Sequence, residues 1–279
     1  MQVQWYPGHM TKAKRMMQAD MKLIDLVIEL IDARIPFSSR NPDIDELAKG
    51  KSRLVLLNKS DLADPARNEE WLKYYKDKGM VALLLDSKNR KGFAPINRSI
   101  EEACKNKIER DRKRGIVNRP VRAMVVGIPN VGKSTFINSL TKKASTKTGN
   151  RPGVTKGKQW IKLDKNVELL DTPGILWPKF DNEKIGQNIA FIGSINDEII
   201  DETDLALNLM ERLKKDYPGM LFERYEADEE KEAAVILNHI AVKRGCLKKG
   251  GEPDHDKASH ILLDDFRSGK LGRITLETP

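Results

Sequence analysis

"RLVLLNKSDLAD", residues 53–64, decides how the chain is to be read. Its first half is an apolar run of strand length; its second half is a polar turn with Asn58, Lys59 and Asp61 at the spacing N-K-x-D. The Asp61 carboxylate can accept hydrogen bonds from both N1–H and the exocyclic amine of guanine. Adenine offers neither donor, and an unpaired carboxylate buried against it would cost several kcal/mol, roughly 3 or more. Asn58 can tie this turn to a phosphate loop, and the Lys59 stem can lie over the base plane. "DSK" (86–88), after the next apolar run, offers Ser87 and a backbone N–H, with Lys88 closing the motif, for the O6 of the base. The same residues could simply end a strand and cap the next helix. Both turns following apolar strands favours guanine.

A phosphate loop is present, but after these turns instead of before them. "GIPNVGKST" (127–135) has the pattern of Gly, four residues, Gly, Lys, Ser/Thr between the strand-like "AMVV" and a helix-like run. Gly127 and Gly132 let the backbone curl so that, in the loop that includes Pro129, the N–H groups of Asn130, Val131, Gly132, Lys133, Ser134 and Thr135 surround phosphate oxygens at a helix N-terminus. Lys133 would reach the β- and γ-phosphates and the Ser134 hydroxyl would bind Mg²⁺. "ELLDTPG" (168–174) ends an apolar run on Asp171, placed to hold Mg²⁺ through water, and Gly174 can bring its N–H to a γ-phosphate oxygen. Thr155 in "NRPGVTKGK" is the candidate second hydroxyl on the metal, with Thr146 and Thr148 nearby.

Base-reading loops first and phosphate loops second is an order that a doubly wound sheet tolerates, because its ligand lies along the carboxyl edge of the strands. The expected fold is therefore α/β: a mostly parallel phosphate-loop GTPase sheet in circularly permuted order. Strands are expected at 25–33, 53–59, 80–87, 121–127 and 167–174, with 158–163 pairing antiparallel to the last. "PARNEEWLKYYKDKG" reads as a helix opened by Pro and closed by Gly, and "APINRSIEEACKNKIERDRKRG" as a single longer helix. Beyond about 198 the apolar spacing becomes that of helices. The expected division is a GTPase domain over 1–176 that includes an N-terminal segment (1–22), a linker over 177–199, and a smaller all-helical domain over 200–279.

The 279 residues carry 50 Lys and Arg against 41 Asp and Glu, a net charge of +9 that favours polyanionic partners. Two cysteines make no disulfide framework, and the N-terminus lacks the apolar core of a signal peptide. No run approaches the ~18 apolar residues of a membrane span. A cytoplasmic protein with no membrane partner is expected. Basic clusters at 105–122, 142–158 and 243–251 fit a folded RNA surface, since Lys and Arg give sequence-blind affinity for phosphate.

Taken together, "WYPGHMTKAKR", "DARIPFSSRNP", the permuted motifs and "DDFRSGKLGRITLE" closely resemble the circularly permuted GTPases of the YlqF/RbgA family, over nearly the whole chain. The resemblance implies GTP hydrolysis coupled to late assembly of the large ribosomal subunit, with GTP/GDP, the large-subunit precursor, rRNA and ribosomal proteins as partners. It further implies a helical C-terminal domain that contacts rRNA. A chain that is monomeric away from the ribosome is expected. Ile175 occupies the position after "DxxG" where many GTPases have a Gln that orients water. Two residues could compensate. Asn130 matches an Asn that holds K⁺ near the β- and γ-phosphates in potassium-activated GTPases. The resemblance makes His9 a water-positioning candidate; it could equally contact RNA with the Lys residues that follow it. His239, His255 and His260 show no metal-ligand pattern. A GTPase serving tRNA modification or metallocofactor delivery, or an RNA-binding module gated by nucleotide with negligible hydrolysis, remain the other readings.

Overall fold

The computed structural model describes residues 17–116, 119–141, 159–163, 166–171, 182–195 and 200–279. Its organising element is β1 (Leu26–Asp32), every residue of which is buried. A run as apolar as "LVIELID" can be covered on both faces only in a parallel sheet flanked by helices. β1 pairs in parallel with β2 (Ser52–Asn58), which pairs in parallel with β3 (Val81–Leu84). On its other side β1 pairs in parallel with β4 (Val121–Val126), which in turn pairs with β6 (Val167–Asp171). β5 (Gln159–Lys162) closes the sheet antiparallel to β6, as the short connection implies. The order is β3-β2-β1-β4-β6-β5. The chain winds outward from β1 to one edge, then returns beside β1 to wind toward the other. The β1/β4 boundary is thus the switch point at which such sheets bind ligands.

The register sets the strand ends level. Asp32 is opposite Asn58, Leu57 opposite Leu84, and Val125 opposite Asp171. The residues after β1, β2, β3 and β4 therefore emerge along one carboxyl edge, at which β6 also ends.

Helices fill the connections. α1 (Asp43–Leu47) precedes β2, and α2 (Pro65–Asp77) follows it. Asp64 caps α2 by accepting from Ala66 N at 2.8 Å, an arrangement worth about 1 kcal/mol. Trp71 and Tyr75 of α2 are buried against Ile31, Val55 and Leu57. The single helix expected over 94–115 is two, α3 (Ile96–Ala103) and α4 (Lys105–Lys113). They meet at buried Cys104, whose φ/ψ of −98°/8° leave the helical region while its carbonyl still accepts from Ile108 N at 2.9 Å. The hydrogen bonding therefore continues through a kink. α5 (Lys133–Thr141) follows the phosphate loop.

Within the segment expected to be a linker, α6 (Glu183–Phe191) is a helix capped by Asn182, with Asn188, Ile189, Ala190 and Phe191 buried. α7 (Glu202–Asp216), α8 (Met220–Tyr225), α9 (Ala233–Lys243) and α10 (His255–Ser268) complete the helical part, α7 and α10 each opened by an Asp cap. One apolar cluster runs from Leu26 and Phe136 through Ile189 and Phe191 to Leu209, Leu262 and Leu276. The helical part and the sheet thus share a core, with α6 between them. Among the described residues no helix is long and apolar enough to cross a membrane.

Candidate nucleotide site

The phosphate loop leaves β4 at Gly127, where a Cβ would lie 2.4 Å from Leu30 O, so only Gly lets the loop pass so close to β1. It turns through Asn130 and Gly132 at φ of 59° and 95° and enters α5 with Phe136 N donating to Gly132 O at 2.8 Å. Lys133 is buried, its Nζ donating to Gly127 O at 3.1 Å and Ile128 O at 3.3 Å. The ammonium is thus folded over the first turn of its own loop, at the positive end of a helix. Ser134 and Thr135 are the next residues of α5.

The turn after β2 meets this loop directly. Asn58 is buried and uses both ends of its amide: Nδ2 donates to Val131 O at 2.7 Å, while Oδ1 accepts from Ser87 N at 3.1 Å and Ser87 Oγ at 2.7 Å. One side chain therefore joins the turns after β2 and β3 to the phosphate loop. Lys59, at φ 57°, donates to Asn130 O at 2.7 Å. The Ser87 hydroxyl, expected to face the base, is committed to Asn58, and the Ser87 carbonyl accepts from Ser139 Oγ of α5 at 2.8 Å. Lys88 beyond it is exposed. Asp61 is half-buried at the tip of its turn. Burial and the neighbouring Asp86 carboxylate push its pKa upward, against Arg34 and Arg273.

Two connections were not read from the sequence. Asp32, fully buried at the end of β1, pairs with Arg34 at 2.8 Å and with Lys59 at 3.0 Å. Burial opposes its charge, but Arg34 and Lys59 outweigh it and hold the carboxyl well below the usual carboxylate range. Arg34 Nη1 then reaches the carbonyls of Phe266 and Arg267 at 3.3 and 3.2 Å, supplying donors and positive charge to the last turn of α10. Similarly Arg267 donates to Phe191 O and Ala190 O at the end of α6. There Ser194 Oγ donates to Pro129 O at 2.6 Å and Asn130 Nδ2 donates to Gly193 O. The only signal for this in the sequence was "DARIP", a charged pair at the end of an apolar strand.

The structure thus brings Asn58, Lys59, Asp61, Ser87, Lys88, Pro129, Asn130, Val131, Gly132, Lys133, Ser134 and Thr135 to one stretch of the carboxyl edge. The backbone of Asp171 ends β6 beside β4. His9, Thr155 and Gly174 lie outside the described residues, as does Ile175. Of the other histidines, His239 meets Tyr225 O at 3.0 Å and His255 meets Asn238 Oδ1.

A phosphate loop tied by one Asn to an N-K-x-D turn that precedes it in the chain is the geometry against which relatives can be weighed. Residues 122–241 match the family model described as 50S ribosome-binding GTPase. A protein of Bacillus cereus named ribosome biogenesis GTPase A is 48% identical over 280 residues, covering 100% of this chain and 95% of its own. The chain belongs to the ribosome biogenesis GTPase A family. The protein of that name from Thermotoga maritima is 33% identical, covering 99% of this chain and 94% of its own. Among solved structures, GNP-bound YlqF from T. maritima aligns with a TM-score of 0.69 at 28% identity over 96% of this chain and 98% of that one. A GDP-bound structure of the same protein aligns equally well. Membership in the ribosome biogenesis GTPase A family makes the chain a GTPase that binds and hydrolyses GTP. The family-model match begins in β4, so Asn58, Lys59 and Asp61 lie upstream of it, as circular permutation requires.

Proposed function

We propose that the chain is a GTP-operated assembly factor that binds the precursor of the large ribosomal subunit and leaves after hydrolysis. The observation that carries the nucleotide half of this reading is the Asn58 amide, which spans the base-side turns and the phosphate loop. In this reading Asp61 accepts from N1–H and the amine of guanine, and the backbone N–H at Lys88 meets O6. The Lys59 stem lies against the base plane while its Nζ holds Asn130 O. The backbone of 129–135 cradles the phosphates, and Lys133 moves from its own carbonyls to the β- and γ-phosphates.

The donor set suits Mg²⁺: a hydroxyl at the start of α5 and a carboxylate at the end of the adjacent β6 are hard oxygen ligands. Ser134 and Asp171 would hold the ion with Thr155, and Gly174 would meet the γ-phosphate. When bound there, Mg²⁺ would supply positive charge against that developing on the phosphoryl oxygens. Asn130 is oriented by its bond to Gly193 O, which leaves Oδ1 to bind K⁺. His9 supplies either water positioning or an RNA contact. On this account replacing K⁺ by Na⁺ lowers turnover severalfold, and equal rates would remove the cation role.

Ribosomal RNA as partner rests on the relatives' names and on basic surface. Within 105–122, Lys107, Arg119 and Arg122 are paired with Asp25, Asp111 or Glu168, whereas Arg110, Arg112, Lys113 and Arg114 form an exposed group at the end of α4. Lys248 and Lys249 are exposed in the helical part, 200–279, which we assign as the RNA-facing unit. The test is single-turnover GTP hydrolysis with purified large subunits, naked rRNA or no addition, alongside cosedimentation in GDP, GTP and a non-hydrolysable analogue. Stimulation and GTP-dependent cosedimentation specific to the subunit are expected. Equal rates in all three conditions would overturn the assignment.

A further inference from the structure

The segment after α10, "GKLGRITLE" (269–277), crosses the outer side of the turn that carries Asp61. Arg273 Nε donates to Ala63 O at 3.0 Å and its Nη2 to Ser60 O at 3.1 Å. The two carbonyls flank Asp61 and Leu62, so one guanidinium clasps the turn on both sides of the carboxylate residue. Around it Ile274 N donates to Leu62 O at 3.0 Å, and Asp64 N donates to Thr275 Oγ1 at 3.1 Å. Gly269, at φ 79°, sits so close to Leu62 that a Cβ would lie 2.6 Å from its Cδ2. Ile274 and Thr275 are buried, but the Arg273 side chain is exposed. It is therefore not part of the core, yet it spends two donors on backbone carbonyls of a single turn. A planar guanidinium is suited to this, because it presents several N–H groups in a fixed fork that can engage two acceptors at once.

We propose that Arg273 is a positioning residue for guanine selection: it fixes the Ser60–Ala63 turn so that the Asp61 carboxylate can meet both donors of the base at once. The inference rests on Asp61 being the guanine-reading residue. The positive charge of Arg273 also lowers the cost of the half-buried Asp61 carboxylate, in the direction that favours its ionised, accepting form.

Hypoxanthine nucleotides lack the exocyclic amine and so offer the carboxylate one donor fewer. A turn that loses its clasp should lose more affinity for GDP than for IDP, whereas general loosening of the fold should weaken both equally. The experiment measures Kd for GDP and IDP on the full chain with Arg273→Ala, Arg273→Gln and Asp61→Asn, and steady-state GTP hydrolysis for the Arg273 variants. Arg273→Ala is expected to weaken GDP binding about tenfold and IDP binding about threefold, raising KM with kcat unchanged. Arg273→Gln, which keeps a donor, should fall between. Equal losses for GDP and IDP in both Arg273 variants, or no loss in either, overturn the positioning role. If Asp61→Asn leaves the preference for GDP over IDP intact, the guanine reading itself is overturned. If Asp61→Asn abolishes that preference while Arg273→Ala leaves it unchanged, only the positioning role falls.

Discussion

The phosphate loop takes much of its shape from its own neighbourhood: Phe136 N closes on Gly132 O, and Lys133 folds back on Gly127 and Ile128. The turn from Asn58 to Asp64 has fewer local means. It lies between a strand and a helix, and it is held by the bonds of Asn58 to Ser87 and Val131, by Asn68 and Asp32, and by the distant residues 269–275. The same sheet edge thus carries a phosphate loop closed by short-range bonds, and joined outward through Asn58, Lys59, Gly193 and Ser194, beside a base-side turn that is also clasped by residues 273–275. A loop stabilised by a helix dipole and short-range hydrogen bonds survives changes elsewhere. A loop fastened at long range reports them.

The largest effect that tests this contrast belongs to Asp32. Asp32→Asn leaves Arg34 and Lys59 without their buried anion, and stability to urea should fall by about 3–5 kcal/mol. Because the folded carboxyl titrates below its ordinary value of 3.8, its contribution is full above that pH. It is lost as pH falls through the lower folded value, so the variant should show a flatter acid limb in a stability–pH profile. A loss below 1 kcal/mol would mean that the base side does not depend on this link. Next, Lys133→Ala should weaken GTP binding about 100-fold, read by fluorescence titration, with little change in GDP-versus-IDP preference. A changed preference would show that the two halves are not separable. Gly132→Ala places a side chain at φ 95° and a Cβ 2.5 Å from Asn58 Nδ2, so it should cost about 2 kcal/mol in urea while disturbing both halves. The smallest change is expected at Arg67→Ala, which removes an exposed pair with Glu70 on α2, with a stability change within about 0.5 kcal/mol.

The sheet and both loop identities were legible because each strand is a short apolar run followed by residues with strict chemical demands. The tie of Asn58 to the phosphate loop could be placed without coordinates, since its partner there is a backbone atom of another recognisable motif; the bonds of Lys59 to Asp32 and of Lys133 to its own loop could not. Nor could Arg273. An Arg in "GRITLE" carries no periodic signal, and its acceptors are ordinary carbonyls far back in the chain. Cys104 hid the kink for a related reason: no Gly or Pro marks it, and apolar spacing runs straight through it. α6 was obscured by its brevity and by a neighbouring sequence that reads as a connector.

The bonds from Arg273 to Ser60 and Ala63 span 213 and 210 positions. At a translation rate of roughly 5–20 residues per second, their two sides emerge about 10–40 s apart. Throughout that interval a nascent chain displays its earliest-made ligand loop unfastened, so the first recognition element synthesised is the last to mature. Such long-range closure also slows refolding, since its entropy must be spent before any contact returns it. Competence to hold nucleotide firmly thereby becomes a late event in the life of each molecule.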